Sequence, residues 1–222
     1  MQFTYHENCG DETINISDDI YRYIIKARRH KIDDEIYFRN LKDDFIYKYI
    51  LQSISKRDAL LTLESKEEKL VKAKHSLHIG WSVIDPKTVE KYISSLNEIG
   101  VDKITFIYSS FSQKNFKPNF EKLRKILINS SQQCGRSSMM KLEICESLEL
   151  FLKAYPQSKI LDFSENKLES TTSVDTILIG TEGGFSHEER ALFKEENILG
   201  LNSNLILRSE TAAISVASKI LL

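Results

Sequence analysis

Short stretches of alternating apolar and polar residues dominate the first third of the chain; longer stretches with helical spacing of apolar residues dominate the rest. Alternation at Gln2–Tyr5, Thr13–Ile16, Glu35–Arg39, Phe45–Leu51 and Ala59–Glu64 predicts strands. Asp33-Asp34, Lys42-Asp43-Asp44 and Ser55-Lys56-Arg57-Asp58 supply turn chemistry between them. Between the second and third strands, Ile20, Tyr23, Ile24 and Ala27 fall on one helical face, which predicts a helix over Asp18–Arg29 with Ser17 as its N-cap. A small β-barrel closed by a helix fits this pattern. The charged stretch Glu64–Lys74 reads as a linker or a short bridging helix, so a domain boundary is placed near residue 68, giving domains 1–68 and 69–222.

Beyond that boundary strands and helices alternate. Strands are expected at Leu77–Ile84, Lys103–Tyr108, Leu142–Cys145, Lys159–Phe163, Val174–Ile179 and Leu205–Leu207. Helices are expected at Pro86–Ile99 with Gly100 as its stop, at Phe120–Cys134, and at Leu148–Tyr155. Two more are expected at Glu188–Asn197, opened by a Ser186/Glu189 capping box, and at Glu210–Leu222, capped by Ser209. This order predicts an α/β domain on a mainly parallel sheet with helices on both faces. The strands ending at Gly180 and at Arg208 each hand over to a helix, and two such ends side by side make a ligand crevice. Half of the eight glycines lie between Gly180 and Gly200. Among them Gly183 and Gly184 allow backbone angles that a side chain forbids.

Composition narrows the function classes. With 222 residues the chain holds one large or two small domains, and 41% hydrophobic with 28% charged residues is ordinary for a globular protein. A net charge of −1 excludes a global attraction to nucleic acid, so any such contact is local. One basic cluster, Arg22, Lys26, Arg28, Arg29, His30 and Lys31, reads either as a phosphate-contacting edge or as a solvated helix face. Three cysteines, odd in number and without metal-ligand spacing, point to reduced thiols in a cytoplasmic protein. No stretch approaches the roughly 20 apolar residues needed to span a bilayer. The five histidines, His6, His30, His75, His78 and His187, are not spaced as a metal site and are read as surface or barrel-edge residues. Trp81 is expected to pack within the sheet. The glycine stretch matches neither the dinucleotide nor the P-loop pattern, and Glu182 inside it would repel a phosphate. A neutral or cationic ligand fits the loop better.

Four elements carry a family resemblance. Gly180-Thr181-Glu182-Gly183-Gly184-Phe185-Ser186 and Leu205-Ile206-Leu207-Arg208-Ser209-Glu210-Thr211-Ala212 resemble the G-P-E-G-G-[FL]-[ST] and [IV]-L-R-x-E-T-A motifs of one SPOUT methyltransferase family. That family is ribosomal RNA small subunit methyltransferase E, the 16S rRNA uridine-N3 methyltransferase. Gln133-Cys134-Gly135-Arg136 resembles its E-Q-[SC]-x-R element, and Arg29 with Asp34-Glu35-Ile36 its L-R-x-x-x-G-D-x-I. The chain departs from the family pattern at Thr181, at Asp162-Phe163 where His-Pro is usual, at Asp33, and in lacking a proline over Ser137–Met140.

The resemblance implies an N-terminal PUA-like β-barrel that holds RNA and a C-terminal SPOUT domain tied in a deep trefoil knot. It also implies S-adenosylmethionine as cofactor, 16S rRNA or the small ribosomal subunit as partner, and a homodimer as the working form. Carried over by position, cofactor contacts fall on Leu161 and Phe163, on Leu178, Ile179, Gly180, Glu182, Gly183 and Gly184, and on Leu201, Leu205, Ile206, Leu207, Thr211 and Ala212. RNA contacts fall on Arg22, Lys26, Arg28, Arg29, Lys31, Gln133 and Arg136. Uracil N3 is a poor nucleophile until its imide proton leaves, and a cation beside the flanking carbonyls stabilises the charge that then develops. Arg136 and Arg208 are the candidates for that cation. Glu210 and Glu182 are candidates for the base, with direct loss of the proton to water as the alternative; a carboxylate at a helix N-terminus, as Glu210 is placed, makes a weak base. No metal is expected. Two rival readings stay open: a SPOUT enzyme acting on another RNA position, and a non-catalytic RNA-binding assembly factor.

Overall fold

The computed structural model describes residues 3–222, so Gln2, at the start of the first expected strand, lies outside the described residues. The chain divides into two compact units. One comprises the residues up to Lys72 together with Ser131–Met139, the other Ala73–Ser130 and Met140–Leu222.

The first unit is built on strands β1 (Thr4–Tyr5), β2 (Thr13–Ser17), β3 (Glu35–Arg39), β4 (Phe45–Ile54) and β5 (Asp58–Glu68). They form a sheet in the order β1-β3-β4-β5-β2, antiparallel except for the β1–β3 pair. In β2 the burial alternates residue by residue, with Ile14 and Ile16 inside, as period-two side-chain placement requires. Tyr21 and Ile24 pack on the same core with Phe38, Tyr49, Leu51 and Leu61. The helix expected over Asp18–Arg29 is shorter: α1 (Asp18–Tyr21) widens into a π-helical stretch over Arg22–Ala27. Ser17 does not cap it; the hydroxyl donates to Asp18 Oδ2 at 2.9 Å instead. The Glu64–Lys74 stretch is neither wholly linker nor helix. β5 runs on through Glu68 because each residue from Ser65 to Glu68 pairs with β4, so the backbone ladder rather than an apolar face holds this charged segment. Buried Arg39 stitches the end of the unit, donating to the carbonyls of Asp44 and Phe45 at 3.3 Å and of Lys69 at 2.7 Å.

The second unit contains β6 (His78–Ser82), α2 (Pro86–Ile99), β7 (Lys103–Ile107), α3 (Phe120–Cys134, whose last turn clusters with the first unit), β8 (Lys141–Cys145), α4 (Leu148–Ala154), β9 (Lys159–Leu161), β10 (Thr176–Ile179), α5 (His187–Arg190), β11 (Ile198–Leu199) and α6 (Ser209–Leu221). The sheet order is β11-β9-β10-β6-β7-β8, and every pair is parallel. All five residues of central β6 are buried, the pattern of a parallel strand covered on both faces. That burial corrects the reading of His78: it is not a surface residue. Its imidazole bonds Thr105 Oγ1 at 2.8 Å and lies against Phe151 and Tyr155, and burial lowers its pKa to about 4. Trp81 packs in the sheet as expected, fully buried and stacked on Phe106. Local signals set α2. Asp85 accepts the Thr88 N–H at 3.1 Å, Pro86 opens the first turn, and Gly100 ends it at φ 113°.

Two expectations near the carboxyl end need correction. Leu205–Leu207 is not a strand; Leu205 and Ile206 are 77% and 80% exposed, and the strand that joins the sheet is β11, a few residues earlier. The helix expected over Glu188–Asn197 stops at Arg190, and a separate 3-10 turn covers Glu195–Asn197. Among the described residues no helix is long and apolar enough to cross a membrane, and no group of side chains has the makings of a metal site.

Candidate functional site

The carboxyl ends of β9, β10 and β11, neighbours in the sheet, open into one cavity of about 380 Å³. Its walls are Leu161–Glu165 with Lys167, then Ile179–Gly184 with Arg190, then Gly200, Leu201, Ser203, Leu205–Leu207, Ser209 and Ala212. A crevice beyond the carboxyl ends of parallel strands is where open α/β sheets bind ligands.

Backbone geometry shapes the walls. β10 ends at Gly180, and the chain turns back at once: the Gly184 N–H donates to the Thr181 carbonyl at 2.9 Å, with Gly184 at φ +71°. A β-carbon at position 180 would stand 3.0 Å from three backbone atoms of Gly184, and one at position 200 would stand 2.4 Å from the Ser164 carbonyl oxygen. Position 200 therefore requires glycine, and a side chain at position 180 would force the Gly184 backbone to give by a few tenths of an ångström. Beneath the loop runs a buried hydrogen-bond chain: Trp81 Nε1 donates to Ser209 Oγ at 2.9 Å, and Ser209 Oγ donates to the Gly180 carbonyl at 2.5 Å. It ties the central strand, the start of α6 and the glycine turn together.

The capping box expected at Ser186 is present, and it does more than start a helix. Glu189 is buried; Oε2 accepts from the Ser186 N–H at 2.9 Å and Oε1 from the Ser110 N–H at 2.7 Å, which fixes the segment after β7 to α5. Replacing Glu189 by alanine removes the carboxylate half of the capping box and leaves the Ser186 and Ser110 N–H groups without their acceptor, so the variant is expected to lose about 2–4 kcal/mol, read from its urea midpoint. A loss below about 0.5 kcal/mol would contradict this role.

Charges of both signs face the cavity. Asp162, its side chain largely buried, is bridged to Arg190 at 3.1 Å, while Arg190 Nε donates to the Phe185 carbonyl at 3.2 Å. Lys167 Nζ donates to the Ser164 carbonyl at 2.7 Å. Glu182, at the turn tip, is exposed.

The structure brings the expected cofactor residues together at this cavity except for two. Leu178 lies in the core with Phe151, Ile160 and Phe185, and Thr211 is exposed outside the lining. Asp162, Thr181 and Ser209, which fall within the same expected segments, line it too; Ser164, Glu165, Lys167, Arg190, Gly200 and Ser203 also line it and were missed, and of these only Gly200 carried a signal, as one of the clustered glycines. Of the residues considered for the chemistry only Glu182 lines it. Arg208 is exposed at the start of α6, Glu210 is buried one residue into that helix with no hydrogen-bond partner at Oε2 among the described residues, and Arg136 is buried in the first unit. Gln133 is exposed. The basic cluster of the first unit is exposed apart from the half-buried His30, but it is not free of carboxylates: Arg22 pairs with Asp19, and His30 with Asp34 at 3.0 Å. Arg28 lies over the Tyr23 ring and Lys26 over that of Tyr21.

An RNA methyltransferase domain family matches residues 71–221, and an RNA methyltransferase PUA domain matches residues 16–64. A Helicobacter pylori (strain J99) protein named ribosomal RNA small subunit methyltransferase E is 39% identical over 222 residues, covering 98% of both chains. The chain belongs to the ribosomal RNA small subunit methyltransferase E family. A Rickettsia conorii member is 26% identical, over 92% of this chain and 87% of that one. The Neisseria gonorrhoeae member, solved bound to S-adenosyl methionine, shares the fold at a TM-score of 0.77 over 98% of this chain and 95% of that one, with 18% identity. The methyltransferase match includes every residue that lines the cavity.

Proposed function

We propose that the chain binds S-adenosylmethionine in the glycine-walled cavity and methylates N3 of a uridine in the 16S rRNA of the small ribosomal subunit. The observation that carries this reading is the cavity itself. Small ligands occupy clefts of roughly 300–1,000 Å³. At about 380 Å³ the volume suits one, and the glycines keep its backbone walls open. Charges buried on binding must be paired, so a wall carrying both carboxylates and cations suits a ligand with an ammonium, a sulfonium and a carboxylate. The Neisseria gonorrhoeae relative, solved with that ligand, supports the same assignment.

When bound, S-adenosylmethionine supplies a methyl group on a sulfonium sulfur, activated for attack by a nitrogen lone pair. The protein then has two tasks. The first is alignment, which the pinned Gly180 turn and the Leu205–Leu207 wall perform by fixing the ligand's position. The second is stabilising the uracil as its N3 proton leaves. Arg208, next in sequence to the cavity residue Ser209, is assigned to the developing carbonyl charge, and Arg136 with Gln133 to the RNA side. Glu210 is buried at the start of α6 and does not line the cavity, so it is not placed to take the proton. The proton is accordingly assigned to water or to Glu182.

On this reading residues 1–68 hold RNA through Arg22, Lys26, Arg28, Arg29 and Lys31, and residues 69–222 carry the chemistry. The same reading includes a trefoil-knotted path through the cavity loops, a homodimer and a cytoplasmic location. Mass spectrometry of 16S rRNA from cells lacking the gene tests it. The N3-methyluridine signal is expected to disappear and to return with the wild-type gene; an unchanged signal would refute the target.

A further inference from the structure

We propose that Phe111 is a stacking platform for an unpaired base of the RNA substrate, placed at the edge of the cavity. This rests on the methyltransferase reading above and names the residue by which the catalytic unit itself grips its substrate.

The segment that follows β7 runs Tyr108-Ser109-Ser110-Phe111-Ser112-Gln113-Lys114-Asn115-Phe116-Lys117-Pro118-Asn119-Phe120. Aromatic and basic residues interleave here, and no carboxylate occurs before Glu121. Cationic grooves with aromatic faces are how proteins hold single strands, because every base offers a π-face and every nucleotide a phosphate. Lys114 and Lys117 are both exposed.

Phe111 is the aromatic residue this segment displays most, at 53% exposure. Isolated exposed hydrophobic residues are common and mean little. What sets this one apart is that the backbone on both sides is pinned while the ring is left outside. The Ser110 N–H is held by buried Glu189 at 2.7 Å, the Ser112 N–H by the Ser109 carbonyl at 3.0 Å, and the Ser109 N–H by Ser112 Oγ at 3.2 Å. Further along, the Tyr108 hydroxyl donates to the Phe116 carbonyl at 2.9 Å. Such anchoring holds an apolar ring in water against the tendency of a Phe side chain to bury itself.

The position supplies the rest of the argument. One edge of the ring rests against the glycine turn: a β-carbon on Gly183 would stand 3.3 Å from Phe111 Cδ2. Gly183 lines the cavity proposed to hold the methyl donor. A base stacked on the exposed face of Phe111 is therefore held beside the donor site, as a target or flanking nucleotide must be. Enzymes that act on a base take it out of its stack, and a protein ring can replace the lost stacking.

The test compares Phe111→Leu, Phe111→Ala and Phe111→Trp with the wild type. The assay follows methylation of small ribosomal subunits taken from cells lacking the gene, with S-adenosylhomocysteine affinity measured separately by calorimetry. Leucine keeps an apolar contact with Gly183 but offers no π-face. Both Phe111→Leu and Phe111→Ala are expected to raise the RNA KM or lower kcat/KM roughly 10- to 100-fold, the loss of one stacked base, with tryptophan restoring activity. Cofactor affinity is expected to stay within about twofold of wild type in the leucine variant, less than 0.5 kcal/mol. Wild-type kinetics in Phe111→Leu would overturn the platform, as would a parallel loss of cofactor affinity in that variant, which would place Phe111 in the donor site. A wild-type protein that methylates no subunit would instead refute the methyltransferase reading, so the two failures are told apart.

Discussion

Gly180→Val is expected to abolish binding of S-adenosylmethionine while leaving most of the fold intact. A β-carbon at this position meets backbone on the far side of the turn, the Cα, carbonyl carbon and oxygen of Gly184, all at 3.0 Å. Backbone cannot rotate aside as a side-chain tip can. The residue cannot retreat either, because its own carbonyl is held by Ser209 Oγ at 2.5 Å. The turn must open, at a strain of about 1–3 kcal/mol typical of overpacking, and the wall from Gly180 to Gly184 moves with it. Gly183 looked equally important from its motif, yet a side chain there meets the Phe111 ring, which can shift. A substitution at 183 is therefore expected to be milder at the donor site. Calorimetric titration of both variants with S-adenosylhomocysteine checks the order of effects, and wild-type affinity in Gly180→Val would remove this turn from the site.

The second large effect is expected at Trp81. Trp81→Ala should lose about 3–5 kcal/mol, the usual cost of deleting a large buried aromatic side chain. The indole is fully buried in β6, paired in register with Ile179 of β10 on one side and Phe106 of β7 on the other. Trp81→Phe separates packing from hydrogen bonding: it keeps an aromatic ring but removes the donor to Ser209 Oγ. About 1–2 kcal/mol should go with that bond. Because Ser209 carries the Gly180 carbonyl, cofactor affinity should also fall. Urea midpoints and calorimetry on the same samples measure both quantities. A Trp81→Phe protein with unchanged affinity would show that the buried chain does not support the turn.

Much of the fold was legible because local and global signals agree. The bounds of α2 and α3 follow from apolar periodicity, and for α2 from punctuation by Asp85, Pro86 and Gly100. β3 follows from alternation alone. The misreadings share a cause: in short windows an apolar run does not say what covers it. Leu205–Leu207 looked like a buried strand, but its side chains form an exposed cavity wall; the true strand, Ile198–Leu199, is too short to stand out. His78 was read as peripheral with the other histidines, yet it opens a strand covered on both faces and is satisfied by Thr105. The grouping of Ser131–Met139 with the first unit has no linear signal at all.

The cavity was legible through glycines, which are needed where backbone approaches backbone. Lys167 and Arg190 were not, since Lys167 reaches it from a loop and Arg190 from the end of the short helix α5, both of ordinary composition. Phe111 was invisible for a related reason: only the fold brings the end of β7 up to the glycine turn after β10.

Equilibrium binding of radiolabelled S-adenosylmethionine to the wild-type chain, run beside Gly180→Val, tests the central claim most directly. One saturable site per chain in the wild type and none in the variant is the predicted result. No retained label in the wild type, or equal retention in both, would contradict it.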